Sequence, residues 1–194
     1  MFISVVIPTY NRRSILEKCL QALEHQDPSG EIETYEVVVV DDGSSDGTPD
    51  WLRQNAAHFP HVRLVEQQHG GPAEGRNRGV DHAKGDVIVF IDSDLVVTSS
   101  FLASHARALS RRWNQQDNRL CFTYGAVINT ANFDQPTAER HKLRDLSWAY
   151  FATGNVAIDR EVLERSGLFD LGFRLYGWED LELGERLRQM GVEL

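Results

Sequence analysis

Residues 37–47 read Val37-Val-Val-Val-Asp-Asp-Gly-Ser-Ser-Asp-Gly47. Four β-branched residues in a row show no polar alternation, so the strand they predict is covered on both faces. The same signature recurs at Phe2–Ile7 and Val87–Ile91, and a shorter strand is expected at Val62–Val65. Between these runs the apolar period lengthens to that of a helix. Ser14-Ile-Leu-Glu17 reads as a capping box opening a helix with Ile15, Leu16, Cys19, Leu20 and Leu23 on one stripe. Thr48-Pro49 reads as an N-cap followed by Pro, with Trp51, Leu52, Ala56 and Phe59 turned to the core. Further helices are expected over Pro72–Ala83, with Ala73, Val80 and Ala83 inward, and from Ser100, with Phe101, Leu102, His105, Leu109 and Trp113 on one face. Alternating strands and helices predict an α/β fold: a mostly parallel central sheet with helices on both faces.

After Leu120 the pattern changes. A strand is expected within Leu120–Ile128, and Asn129–Asp145 is polar and without a clear period. Thr153–Ile158 reads as a strand and Asp159–Ser166 as a short helix ended by Gly167. Trp178–Met190 reads as a helix closed by Gly191, and Val192–Leu194 begins a strand.

The chain has 194 residues, and 29 acidic side chains against 20 basic ones leave it at −9. That balance argues against a nucleic-acid partner, which needs a basic face. It permits a nucleotide ligand if a cation carries the positive charge. Cys19 and Cys121 are far apart in apolar surroundings and read as buried thiols, which suits a reducing compartment. No apolar run approaches the ~20 residues of a membrane helix. The apolar N-terminus lacks a basic region before Pro8 and reads as a strand rather than a signal peptide. The expected location is the cytoplasm, with peripheral attachment to the inner face of a membrane left open.

In open parallel sheets ligands bind beyond the carboxyl ends of the strands. Three buried strands here end in Pro8-Thr-Tyr-Asn-Arg12, Asp41-Asp-Gly-Ser-Ser-Asp-Gly47 and Asp92-Ser-Asp94. They deliver an aromatic ring, a base and several carboxylates to one edge. Crowded carboxylates repel one another unless a cation joins them, and hard oxygen ligands suit Mg²⁺ or Mn²⁺. Strand alternation would put Asp92 and Asp94 on one side. Each motif also has a local reading. Asp-Asp-Gly-Ser is good turn chemistry, Asp-x-Asp occurs in many turns, and a lone Tyr is often packing. Their convergence on three strand ends favours a binding site. His69-Gly-Gly-Pro-Ala-Glu-Gly75 lacks the Gly-Lys-Ser/Thr of a P-loop and reads as a flexible entry to the next helix, with proximity to a phosphate the lesser alternative.

Val5-Val-Ile-Pro-Thr-Tyr-Asn-Arg12, Val38–Thr48, Phe90-Ile-Asp-Ser-Asp94, Thr153–Ile158 and Gly177-Trp-Glu-Asp-Leu-Glu182 together resemble family 2 of the glycosyltransferases, of GT-A fold. The resemblance covers nearly the whole chain as one domain, a nucleotide-binding half at 1–98 and an acceptor-binding half at 99–194. It implies inverting transfer of a sugar from a nucleotide donor, usually a uridine diphosphate sugar, to a carbohydrate, lipid-linked or other hydroxyl acceptor. By position it implies that Pro8, with Thr9 beside it, supplies backbone contacts and that Tyr10 stacks on the base. Asp42 would bond the base, and Asp92 would sit near the ribose. Asp94, with Asp92, would hold Mn²⁺ or Mg²⁺, and Arg12 and Arg76 would contact phosphate or nucleotide. The family commonly adds a His ligand from a strand after the Glu-Asp helix. The chain stops at Leu194 and none of its seven His lies there, so a truncated acceptor half or another ligand is expected.

A single displacement that inverts needs a group to take the acceptor's proton. The resemblance puts this role on Asp180, with Glu179 orienting the acceptor. The 3, 4 and 3 spacing of Asp180, Leu183, Leu187 and Met190 independently places Asp180 on the inward helix face, at an N-terminus that favours a carboxylate with a pKa near ~3.9. A helix-capping role for Asp180 is the local alternative. Two other functions remain open: an inactive sugar-nucleotide-binding module, and a sugar nucleotidyltransferase, which Pro8–Arg12 disfavours for want of a Gly-rich basic loop.

Overall fold

The computed structural model describes residues 1–116, 118–130, 132–133, 150–173 and 178–194. Among these, strands β1 (Phe2–Thr9), β2 (Thr34–Asp41), β3 (Val62–Glu66), β4 (Val87–Ile91), β5 (Phe122–Tyr124) and β6 (Asn155–Asp159) form one sheet in the order β3-β2-β1-β4-β6-β5. The first four run parallel; β6 and β5 join antiparallel. The strand expected within Leu120–Ile128 is only the three residues of β5. Val192–Leu194 contributes a single bridge, Glu193 to Cys121.

Helices α1 (Arg13–Glu24), α2 (Thr48–Gln54), α3 (Pro72–His82), α4 (Phe101–Gln116), α5 (Arg160–Arg165) and α6 (Glu179–Gln189) cover the sheet. Alternate residues of each central strand face opposite ways. Ile3, Val5, Ile7, Val37, Val39, Val87, Val89 and Ile91 pack under α1, α2 and α4. Val6, Val38, Val40, Ile88 and Phe90 pack under α3, α5 and α6. This two-sided burial is why the strands are unbroken apolar runs.

Several local expectations shift. Ser14 is the second residue of α1, not its cap. Arg12 holds the cap position without a side-chain capping bond, and the Arg13 N–H donates instead to Asp46 Oδ2 at 2.9 Å. Asp46 also accepts from the Thr48 N–H and hydroxyl, so Thr48 is the first residue of α2 and Gly47, at φ 81°, precedes it. One carboxylate from the β2–α2 loop therefore serves two helix starts. Ala56 is exposed in a short 3₁₀ turn rather than in the core. The helix α3 crosses β1 at Gly79, where a Cβ would lie 2.3 Å from Val6 Cγ1. Most of the stretch 129–150 and Gly177 lie outside the described residues.

Candidate active site

The sheet order reverses between β1 and β4: the chain steps outward from β1 through β2 to β3, then returns to the other side of β1. A crevice opens at such a switch point, beyond the strand ends. A cleft of about 300 Å³ lies there, lined by Pro8, Thr9, Tyr10, Arg12, Asp42, Arg76, Asp92 and Asp94, together with His69, Gly71, Pro72 and Ser93. Eight of the ten residues singled out from sequence thus share one cleft. Glu179 and Asp180 do not line it.

The β1 end is braced by the neighbouring loop. Asn11 adopts φ 52°, its N–H donates to Ser44 Oγ at 2.9 Å, and its Oδ1 accepts the Ser45 N–H at 2.7 Å. This left-handed residue turns the chain directly after Tyr10. Thr9 is buried, and its Oγ1 has no hydrogen-bond partner among the described residues.

Asp42 is 4% exposed and its carboxylate is directed at the 67–71 segment. Oδ1 accepts from Gln67 Nε2 at 2.7 Å and the Gly70 N–H at 2.8 Å; Oδ2 accepts the Gly71 N–H at 2.9 Å and lies 2.9 Å from His69 Nδ1. The stretch read as a flexible connection is therefore pinned to the site. It carries His69 onto the ring of Tyr10, with centroids 4.1 Å apart and planes at 25°. Ser93 and the ring contact of His69 were missed by sequence reasoning, and the Gly71–Pro72 turn entered only through the lesser alternative of phosphate proximity. The available signal was the Gly-Gly-Pro entry to α3, because a helix N-terminus beyond a strand end faces the crevice.

Asp92 and Asp94 reach the cleft, but not by alternation. β4 ends at Ile91, and the Leu95 N–H bonds to the Asp92 carbonyl at 3.2 Å, so a turn brings both carboxylates round. Asp94 pairs with Arg12, both partly exposed. Asp92 Oδ1 accepts from Arg76 Nη2 at 3.1 Å. Arg76 Nη1 donates to Glu179 Oε1 at 2.9 Å, and Arg76 and Glu179 are each 2% exposed. Arg76, expected at nucleotide or phosphate, directs both Nη atoms to protein carboxylates. Glu179, expected at the acceptor, is buried, and its Oε2 accepts the Trp178 N–H at 3.1 Å.

The inward stripe of α6 is Glu179, Leu183, Gly184 and Leu187, with Met190 just past its end packed partly buried against the same core, and Asp180 is not on it. Spacing by four rather than three puts Glu179 at its head. Asp180 flanks the stripe, half-buried, and its Oδ1 accepts the Leu181 N–H at 2.8 Å. Its pKa is raised, first by burial and then by the Glu179 charge; the Leu181 N–H and Arg76 only partly offset this. Sequence reasoning had put it at the ordinary carboxylate value.

The profile of glycosyl transferase family 2 matches residues 4–167. Validoxylamine A glucosyltransferase from Streptomyces hygroscopicus subsp. jinggangensis is 31% identical over 99% of this chain and 52% of its own length. The uncharacterized glycosyltransferase YfnE of Bacillus subtilis is 27% identical over 97% of this chain and 61% of its own. Among solved structures, mannosyltransferase PcManGT from Pyrobaculum calidifontis, in complex with GDP-Man and Mn²⁺, is 26% identical at TM-score 0.73, over 99% of this chain and 53% of that one. S. aureus TarS 1-349 in complex with UDP-GlcNAc is 24% identical at TM-score 0.68, over 96% and 53%, a likeness of fold. The chain thus spans roughly half to three-fifths of the length of these relatives. With the strand order, the cleft at the switch point and a family profile matched over most of its length, the chain belongs to glycosyl transferase family 2.

Proposed function

We propose that this chain binds a nucleoside diphosphate sugar at its first-half strand ends and transfers the sugar, with inversion, to an acceptor hydroxyl presented by its second half. The observation that carries this reading is the cleft at the β1/β4 switch point, which collects an aromatic ring, two arginines and three carboxylates in about 300 Å³. The match to glycosyltransferases over the whole chain supports the reaction class.

In this reading the nucleobase packs on Tyr10, sharing or displacing His69. Asp42 acts by holding the Gly70–Gly71 backbone that forms one wall. The Arg12–Asp94 pair is solvent-exposed and worth about 0–1 kcal/mol. It opens at little cost, freeing Asp94 for a cation and Arg12 for a phosphate.

The donor set fits Mg²⁺ or Mn²⁺. Asp92 and Asp94 are hard oxygen ligands, no cluster of three or more His, Cys, Asp or Glu stands ready among the described residues, and Mg²⁺ in particular takes one or two carboxylates beside substrate phosphates. Bound there, the cation would supply neutralisation of the charge on the leaving diphosphate. PcManGT with GDP-Man and Mn²⁺ supports a metal for this chain.

Asp180 is the proposed base. As the acceptor oxygen bonds to the anomeric carbon and the bond to the diphosphate breaks, Asp180 takes the hydroxyl proton. Its raised pKa makes it a better acceptor than an ordinary carboxylate, and the N-terminus of α6 favours its charge. No covalent sugar–enzyme bond is needed.

The deciding experiment is a transfer and donor-hydrolysis assay with UDP- and GDP-sugars, with and without Mn²⁺. Mn²⁺-dependent release of nucleoside diphosphate supports the reading. Binding without turnover supports an inactive module, and turnover only with a nucleoside triphosphate plus a sugar phosphate supports a nucleotidyltransferase.

A further inference from the structure

We propose that Arg76 is a positioning residue whose buried guanidinium locks the helix carrying Asp180 to the strand end carrying Asp92, with Glu179 as the receiving group. The inference rests on the reading of Asp180 as the base. Nη1 reaches Glu179 Oε1 at 2.9 Å and Nη2 reaches Asp92 Oδ1 at 3.1 Å, so one planar fork spans 103 residues of sequence. The guanidinium lies over the Phe169 ring, 5.6 Å from its centre, and Nε has no hydrogen-bond partner among the described residues.

A buried ion pair is a poor stabiliser, because desolvation offsets most of its attraction and an apolar pair of equal volume often does as well. What a guanidinium fork supplies is direction. Glu179 and Asp180 are consecutive, so fixing the first fixes the angle at which the second leaves α6. Neighbouring contacts hold the same unit. Asn77, next to Arg76 on α3, exchanges two hydrogen bonds with the Phe169 backbone, at 2.8 and 3.0 Å. On α6, Arg186 donates to the Leu168 carbonyl at 2.6 Å. The Asn77 bonds tie α3, and the Arg186 bond ties α6, to the segment at Leu168–Phe169, whereas Arg76 also lines the cleft. A ligand that draws on Asp92 therefore acts on the group that seats the base-bearing helix. Glu179 then serves the reaction from within the protein, not at the acceptor.

The test compares the parent chain, Asp180→Asn, Glu179→Gln, Arg76→Lys and the double variant Arg76→Met with Glu179→Leu. Readouts are kcat, KM for donor and acceptor, donor Kd, melting temperature and backbone hydrogen exchange. Positioning predicts that Glu179→Gln and Arg76→Lys lower kcat by about 10- to 100-fold, the scale of a ~1 Å misplacement, with donor Kd unchanged in Glu179→Gln, because Glu179 does not line the cleft. Amides in the first turn of α6, such as Glu182, exchange about 10-fold faster while those of β1 do not change. Glu179→Gln also moves the acid limb of the rate profile to lower pH, because it deletes a charge that raises the Asp180 pKa. That shift follows from the lost charge in either role, so the fall in kcat and the α6 amide exchange separate positioning from packing. The double variant, free of the buried charges, melts no lower than Glu179→Gln yet keeps the rate loss.

The proposal is overturned if Glu179→Gln raises the acceptor KM at unchanged kcat, or if Arg76→Lys weakens donor binding with the α6 amides unchanged. It is also overturned if the double variant restores kcat. An undiminished rate in Asp180→Asn overturns the base assignment instead. Amide exchange, which needs no turnover, then decides separately whether the bridge holds α6.

Discussion

Asp180 carries its charge where the surroundings resist it. Because burial and Glu179 raise its pKa, the acid limb of the transfer rate is expected above the usual carboxylate value of about 3.9, with activity lost as pH falls through it. Asp180→Asn removes the proton acceptor and should lower transfer by about 10²- to 10⁴-fold with donor affinity unchanged. The stability sign is opposite. A carboxyl whose folded pKa is raised contributes stability below its unfolded pKa and loses it as pH rises through the folded one. The Asn variant should therefore melt higher than the parent at pH 7, which calorimetry checks. Tyr10 is 44% exposed and reaches solvent beside His69. Tyr10→Ala should weaken nucleoside diphosphate binding by about 1–3 kcal/mol, the range of a base–aromatic stack, measured by titration calorimetry. The place of Tyr10 in the cleft was legible because it follows a strand end, whereas the half-buried place of Asp180 beside the inward stripe was not, because spacing by three and by four cannot be told apart until α6 packs. Nor was His69. It reaches Tyr10 only because Asp42 gathers the 67–71 backbone, and no periodicity encodes where a loop is tethered.

At the scale of elements, the two helix starts that share Asp46 were misread in the same direction. Ser14 and Thr48 have the right chemistry for caps, yet the cap of α1 comes from 33 residues away. Asp46→Ala should cost about 1 kcal/mol in denaturant unfolding, the usual worth of a cap. Desolvation pushes its pKa up, but bonds from Thr48 and the Arg13 N–H outweigh that and lower it. The stability it adds is present above its unfolded pKa and lost as pH falls through the folded value. The Ala variant and the parent should thus converge in stability at low pH. Gly79 was unremarkable in the sequence, a glycine inside a helical pattern. Its reason is the approach of α3 to β1, where a Cβ would meet Val6. Gly79→Ala should destabilise by about 1–3 kcal/mol through overpacking, although Ala is the better helix former. Thermal unfolding checks the sign.

For the whole molecule, binding across the β1 and β4 ends should register as global stability. A donor at about 100 times its Kd adds about 2.7 kcal/mol if it binds only the folded chain. In Mn²⁺ that gain is expected for the parent and lost in Asp94→Ala, whose own melting should change little because Asp94 is partly exposed. A donor-induced shift of equal size in both would remove Asp94 from the cation site. What the sequence determined by itself was the frame. Unbroken β-branched runs are stable only when covered on both sides, so they specify a buried parallel sheet with helices on each face, and the motifs after three of those strands mark the edge where the cleft opens. These are local patterns, readable within a dozen residues. Only the tertiary structure decided the partners: that Asp42 holds a loop, that Asp46 caps a distant helix, and that Arg76 joins Asp92 to Glu179. A polar side chain among several candidate partners is committed by distance and burial, and those exist only after the helices have packed.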